Sequence, residues 1–189
     1  MQGNMLEIAE KVQEYNNYIR EHRANVLKAW KQMQEKCKDE QVVYDDFWYH
    51  CVNETIKRHD LSKYSAAEFT QYRNHFYPCA DEEVDEKAFN LAWKHHYENN
   101  DHHWEHWLND GGSFREDIDP EYSTHSTVKQ VNDYAKVYIG YIEMICDWTA
   151  MGYKFGDTAL QYYEKNGDKI RILPDWKNAV EDILRKMTK

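Results

Sequence analysis

Five of the 10 histidines of this 189-residue chain fall between His95 and His106, and two adjacent pairs, His95-His96 and His102-His103, stand among them. Upstream lie the doublet His59-Asp60 and the single His22, and downstream Asp147 sits in the apolar setting EMICDWTAM. Neutral imidazole nitrogen and anionic carboxylate oxygen together suit zinc, iron, manganese or a related divalent ion, because they offset the hydration a cation loses on being enclosed. The set is rich enough for two ions. A His-Asp doublet by itself carries little weight, since a shuffled chain of this composition would hold about 0.85 of them. Taken singly, a histidine is most simply a hydrogen-bonded core or surface ring. Four residues that share inward positions on different elements, His22, His59, Asp60 and Asp147, argue more strongly.

Helices must supply those positions. With 7 Gly and 3 Pro in the chain, the punctuation needed for tight hairpins is missing, and an all-α fold follows. Ile8, Val12, Tyr15, Ile19, Val26, Trp30 and Met33 recur in steps of three or four with one gap, which His22 fills, so His22 points inward. A second helix is expected from about Val42 to Ile56, with Trp48, Val52 and Ile56 on one face. One further step of three reaches His59, and Asp60 closes the helix. Ser65-Ala66-Ala67-Glu68 has the form of a capping box and predicts a new helix start. That helix should stop before Pro78. The next contains Ala88, Leu91, Ala92 and Trp93 and reaches His95 and His96. Asn99-Asn100-Asp101 is a poor helix interior and a reasonable turn, so a break there would fold His102 and His103 back toward His96.

Residues 109 to 126 form the one long loop and are a candidate substrate cover. From Ser126 the spacing of Val128, Val131, Ala135, Tyr138, Ile142 and Ile145 draws another long helix, on which the buried Asp147 needs a partner. Shorter helices follow at about 157 to 165 and 175 to 187. One domain is expected, a compact helical bundle with its core over 5–152 and a helical extension over 153–189.

The formal charge of -10 argues against a broad phosphate-tracking surface, hence against a partner such as a stable nucleic-acid duplex. No apolar run approaches a membrane span, and the first residues lack the pattern of a signal peptide, which predicts a cytoplasmic protein with no membrane partner. Cys37, Cys51, Cys79 and Cys146 form no CxxC pair and read as free, mostly buried thiols. Aromatics make up 15% of the chain, so large rings should fill much of the core. Trp93, Trp104, Trp107 and Trp148 are candidates to stack a base, although packing is their simpler role.

The order His22, His59-Asp60, Asp147 on successive helices of an acidic all-α chain resembles the HD superfamily of metal-dependent phosphohydrolases, and Lys63 sits three after the Asp as in that superfamily's HDxxK variants. Over nearly its whole length the chain is also similar to an uncharacterised bacterial and phage family marked by HDLSKYSAAEF, AWKHHYENNDHHWEHW and EMICDW. The resemblance implies that His22, His59, Asp60 and Asp147 ligate a first metal and that Asp60 bridges to a second, held further by His96 and one of His102 or His103. It implies Lys63 on a phosphate oxygen, and two divalent ions drawn from Mn, Fe, Zn, Co, Ni or Mg. The reaction implied is hydrolysis of a small phosphorylated substrate, such as a nucleotide, by a metal-activated water. Asp60 and Lys63 would carry the catalysis. Arg58, Arg73 and Lys94 are further candidates to bind the substrate's phosphate. The Gly-Tyr-Pro signature of the branch acting on cyclic dinucleotides is missing. Two other readings use the same residues: a di-iron oxygenase of the HD type, and a metal or nucleotide sensor without turnover.

Overall fold

In a computed structural model the chain is an all-α bundle of eight helices among the described residues, 2–118 and 128–188. The helices begin with α1 (Gln2–Lys36), which spans about 52 Å at about 1.5 Å per residue. Then come α2 (Gln41–Tyr44), α3 (Asp46–Arg58), α4 (Phe69–Phe76) and α5 (Glu86–Asn99). The long α6 (Val128–Phe155) crosses the molecule, and α7 (Ala159–Asn166) and α8 (Pro174–Thr188) close it. None of these helices is long and apolar enough to cross a membrane.

The apolar residues separate into two clusters. The larger joins Val26, Trp30 and Met33 of α1 to Val52 and Ile56 of α3, to Tyr141, Ile142 and Ile145 of α6, and to Val180, Ile183 and Leu184 of α8. The smaller joins Tyr15 and Ile19 of α1 to Tyr72 of α4 and Ala92 of α5. His22 is the residue of the α1 stripe that falls between them, and it is buried. The C-terminal helices share the larger cluster, so residues beyond 152 are part of the same core. All four cysteines are free, and Cys37, Cys79 and Cys146 are buried.

Three local expectations are corrected. The helix expected over Val42 to Ile56 is broken at Asp45, whose extended backbone ends α2 and whose side chain accepts from the amides of Phe47 and Trp48 to start α3. Ser65 and Glu68 form no capping box: the helix begins later, at Phe69, and the Glu68 side chain makes no cap bond. Its carboxylate is turned wholly inward instead. The third concerns the loop. Leu108 and Phe114 pair as an isolated antiparallel bridge, and a 3-10 turn over Glu116–Ile118 buries Ile118 in the larger cluster. The described part of the proposed cover, 109–118, contributes nothing to the cavity over the histidines; residues 119–127 lie outside the described residues.

Candidate metal centre

Each histidine and carboxylate of interest arrives from a helix end or from a helix face turned to the junction of the two clusters. His22 projects from the middle of α1. His59 is the C-cap of α3, and Asp60 follows with φ 58°, the one positive φ outside glycine among the described residues. Left-handed backbone is costly for most side chains and tolerable for Asp. The turn aims the Asp60 carboxylate back at His59. Arg23, next to His22, secures it by donating from Nε to the His59 carbonyl at 2.8 Å and from Nη2 to the Lys57 carbonyl at 2.7 Å. Asp147 comes from α6.

Helix α5 ends at Asn99, where the Asn-Asn-Asp reading of the sequence places a break. Asn100 donates to the Ser62 hydroxyl at 2.8 Å and to the His96 carbonyl at 2.7 Å. The following turn lies directly against α6 at Gly140, where a Cβ would stand 2.3 Å from the Asp101 carbonyl oxygen. A side chain at 140 would push the turn away. Its absence lets His102 and His103 reach the space opposite His22 and His59.

The donors converge on two adjoining points. His22 Nε2 stands 3.1 Å from His59 Nε2, 3.1 Å from Asp147 Oδ1 and 3.5 Å from Asp60 Oδ2. His59 Nε2 is 3.5 Å from Asp60 Oδ2 and 3.9 Å from Asp147 Oδ1. On the other side Asp60 Oδ1 faces His96 Nε2 at 3.3 Å and His102 Nε2 at 3.6 Å. Donors lying about 2.0–2.2 Å from one ion are about 3.0–3.5 Å from each other, so these separations suit enclosure of a cation. His96, His102 and His103 also form a compact trio, with all three donor atoms within 4.8 Å of one another.

Buried carboxylates behind the rings settle which nitrogen faces inward. His59 Nδ1 lies 2.8 Å from Glu143 Oε1, and His96 Nδ1 lies 2.8 Å from Glu68 Oε2. An ionised carboxylate only accepts, so in each ring Nδ1 is assigned a proton and Nε2 is the nitrogen left to face the centre. Glu143 Oε1 is also 3.4 Å from His102 Nδ1, so one carboxylate orients a ring on each side. For His96, Nε2 then points at a carboxylate oxygen in a buried space. Asp60 Oδ1, His96 Nε2, His102 Nε2 and His103 Nε2 have no hydrogen-bond partner among the described residues. Such acceptors are costly to bury together unless a proton or cation lies between them. The residues therefore fit a metal ion, and the carboxylate-backed histidines have the arrangement that fixes metal-ligand rings.

Charge follows the same geometry. Burial pushes the Asp60 carboxyl upward, but His59, Lys63 and His96 hold it well below the ordinary carboxylate range. Burial likewise opposes ionisation of Glu143, and His102 and His59 overcome it, to about 2. Burial, with help from His102 and His96, holds His103 well below an ordinary histidine, so its ring is neutral as a metal ligand must be. Lys63 Nζ sits 2.6 Å from Asp60 Oδ2.

Above the donors opens a cavity of about 550 Å³, lined by His22, Asp60, Lys63, His96, His102, His103 and Asp147 at its base, and largely by aromatic rings elsewhere. Trp93, Trp104 and Trp148 line it, whereas Trp107 is in the core and donates its indole N–H to the Asp101 carbonyl.

Three expected phosphate-binding residues are corrected. Arg58 is exposed and donates to its own helix at the Glu54 carbonyl. The Arg73 guanidinium is taken up by Glu82 and the Tyr77 carbonyl. Lys94 is exposed and lies 3.5 Å from Glu98. None of the three lines the cavity, because helical phase turns each away from it. Glu68 and Glu143 escaped the sequence reading. Glu143 stands one turn before Asp147 on the same apolar helix and could have been found by the reasoning that found Asp147; Glu68 was hidden by its fit to a capping box.

The fold and the site define an all-α protein with buried histidine–aspartate clusters able to hold metal. Residues 11–186 match a family of unknown function, DUF5662, and the chain belongs to that family. No curated protein and no solved structure matches it.

Proposed function

We propose that this chain is a metal-dependent phosphohydrolase of the HD type, holding two divalent ions and acting on a small phosphorylated substrate such as a nucleotide. The observation that carries this reading is Asp60, whose Oδ2 faces His22 and His59 while its Oδ1 faces His96 and His102. A carboxylate so placed suits a bridge between two ions. His22, His59 and Asp147 would complete one site, and His96 with His102 the other, His103 standing beside it. When bound, such ions would supply an activated water and absorb charge on the phosphoryl oxygens.

The chain's own residues would do the rest. Glu143 and Glu68 hold the rings of His59, His102 and His96 so that lone pairs face the centre. Lys63, the one lysine or arginine among the described residues of the cavity lining, would move its ammonium from Asp60 to a phosphoryl oxygen as substrate enters. With two divalent cations present, the positive charge exceeds that of the two liganding carboxylates, which favours an anionic substrate.

The test is a screen of nucleoside mono-, di- and triphosphates, cyclic nucleotides and simple phosphate esters, with Mn, Fe, Zn, Co, Ni and Mg added singly. Release of phosphate or of an alcohol product that Asp60→Asn abolishes is the expected result. A blank screen with metal-loaded protein would overturn the proposal. A second reading, the di-iron oxygenase, is favoured by one observation: among the described residues the cavity lining has a single lysine or arginine, Lys63, and that one is already paired with Asp60. Turnover that requires iron and oxygen would select it.

A further inference from the structure

The cavity holds more than the metal donors require. Two sets of aromatic rings line it above the histidines. Phe76 of α4 and Phe89 and Trp93 of α5 form one set, in which Phe76 meets Phe89 edge-on with centroids 5.5 Å apart. Trp148 and Phe155 of α6 and Tyr162 of α7 form the other, in which Trp148 and Tyr162 are 5.2 Å apart. Among the described residues no ring of one set contacts a ring of the other, and both sets border the same cavity of about 550 Å³. Three of these rings are exposed at the mouth: Phe76 at 54%, Phe155 at 66% and Tyr162 at 40%. Exposed aromatics gathered at one cavity, rather than scattered, mark a recognition surface.

The polar complement of the lining is equally selective. No Ser, Thr, Asn, Gln or Arg is among the described residues that line it. Apart from the donors at the base and Lys63, the polar groups among its described residues are the carboxyls of Glu105 and Asp157, the hydroxyls of Tyr18, Tyr72 and Tyr162 and the indole N–H groups of Trp93, Trp104 and Trp148, most of them carried on aromatic rings. A site that reads a sugar or polyol by its hydroxyls commonly adds side-chain amides or aliphatic hydroxyls to its rings, and the described lining has neither. This one offers ring faces and edges, which prefer offset-stacked or edge-on partners.

We infer that the organic part of the ligand is a flat aromatic group, inserted between the two sets of rings while its phosphoryl group meets the histidine–aspartate centre. The phosphoryl half rests on the hydrolase reading; the aromatic half rests on the walls alone. The ring could belong to a nucleobase or to a simple aryl ester, and the two are separable. An alkyl chain is a poorer occupant, because it has no ring face or edge to set against those of the walls.

The test is calorimetric titration of the full chain, supplemented with Mn²⁺, using phosphonates, whose C–P bond a phosphohydrolase does not cleave. Phenylphosphonate should bind at least about tenfold more tightly than 2-hydroxyethylphosphonate and more tightly than hexylphosphonate. Phe76→Ala and Phe155→Ala, at exposed positions, should each lower the ratio of phenylphosphonate to methylphosphonate affinity severalfold. The phosphonate analogue of adenosine monophosphate binding more tightly still would support the inference and identify the ring as a nucleobase. Equal or tighter binding of the hydroxyethyl or hexyl probe, no effect of either wall variant, or no binding of any probe would overturn it. Phenylphosphonate binding without hydrolysis of any phosphate ester would sink the hydrolase reading and leave the aromatic site standing. Equal turnover of sugar and aryl phosphates would do the reverse.

Discussion

The two halves of the centre are built differently. His22, His59 and Asp147 come from a helix interior, a helix end and a second helix interior, and their donor atoms contact one another at 3.1 to 3.9 Å. His96, His102 and His103 come from a helix end and the turn beyond it, and all three Nε2 atoms lack a hydrogen-bond partner among the described residues. The first half can satisfy itself by sharing protons between imidazole and carboxylate. In the second, three ring nitrogens face one another and one carboxylate oxygen, an arrangement that a cation or an added proton reconciles. Packing of long helices places the first half, whereas Gly140 and the Glu68 network place the second.

Asp60 belongs to both halves, so Asp60→Asn should have the largest effect, taking bound metal from two ions per chain to near none by elemental analysis of protein prepared without chelator. A variant that keeps both ions would refute the bridging role. Next, His22→Ala and His96→Ala should each remove one ion, and anomalous scattering should show different ions missing. If both variants lose the same ion, the two halves are one site.

The oriented rings give a finer separation. Glu143 touches a ring on each side, whereas the rings that Glu68 touches among the described residues are those of His95 and His96. Glu143→Gln should therefore weaken both ions, by about 10- to 100-fold in affinity, and Glu68→Gln only the second. Equal effects of the two variants on both ions, measured by competition with a chelating dye, would argue against this division. The smallest change is expected from Gly140→Ala. Its added methyl meets the Asp101 carbonyl, which should cost about 1–3 kcal/mol and lower Tm by several degrees. The second ion should weaken more than the first, and an unchanged Tm with equal metal affinities would mean that the turn yields freely.

Residue spacing made much of this visible. The α1 stripe marks His22 as inward because side chains three and four apart share a helix face, and the apolar run around Asp147 marks a carboxylate that needs a partner. Asn99-Asn100-Asp101 marks the end of α5 because such side chains compete for backbone hydrogen bonds. Glu68 was misread for a related reason. A Ser-x-x-Glu tetrapeptide satisfies a helix end locally, yet burial beside His95 and His96 and the hydroxyl of Ser62 at 3.1 Å provides the carboxylate with other partners. Arg58, Arg73 and Lys94 were plausible by charge and proximity in sequence, and their helical phase turns them elsewhere.

By itself the sequence determined what depends on near neighbours along the chain: an all-α fold, most helix ends, the inward phase of His22 and the break before His102. Only the tertiary structure decided which groups meet across elements. It brought Asp60 between two sets of rings, chose Glu68 and Glu143 as their supports, paired Lys63 with Asp60 and gathered Phe76, Phe155 and Tyr162 at one mouth. Helical periodicity states which way a side chain points from its own axis. The distance and rotation between axes follow from packing the whole core, which no local spacing encodes.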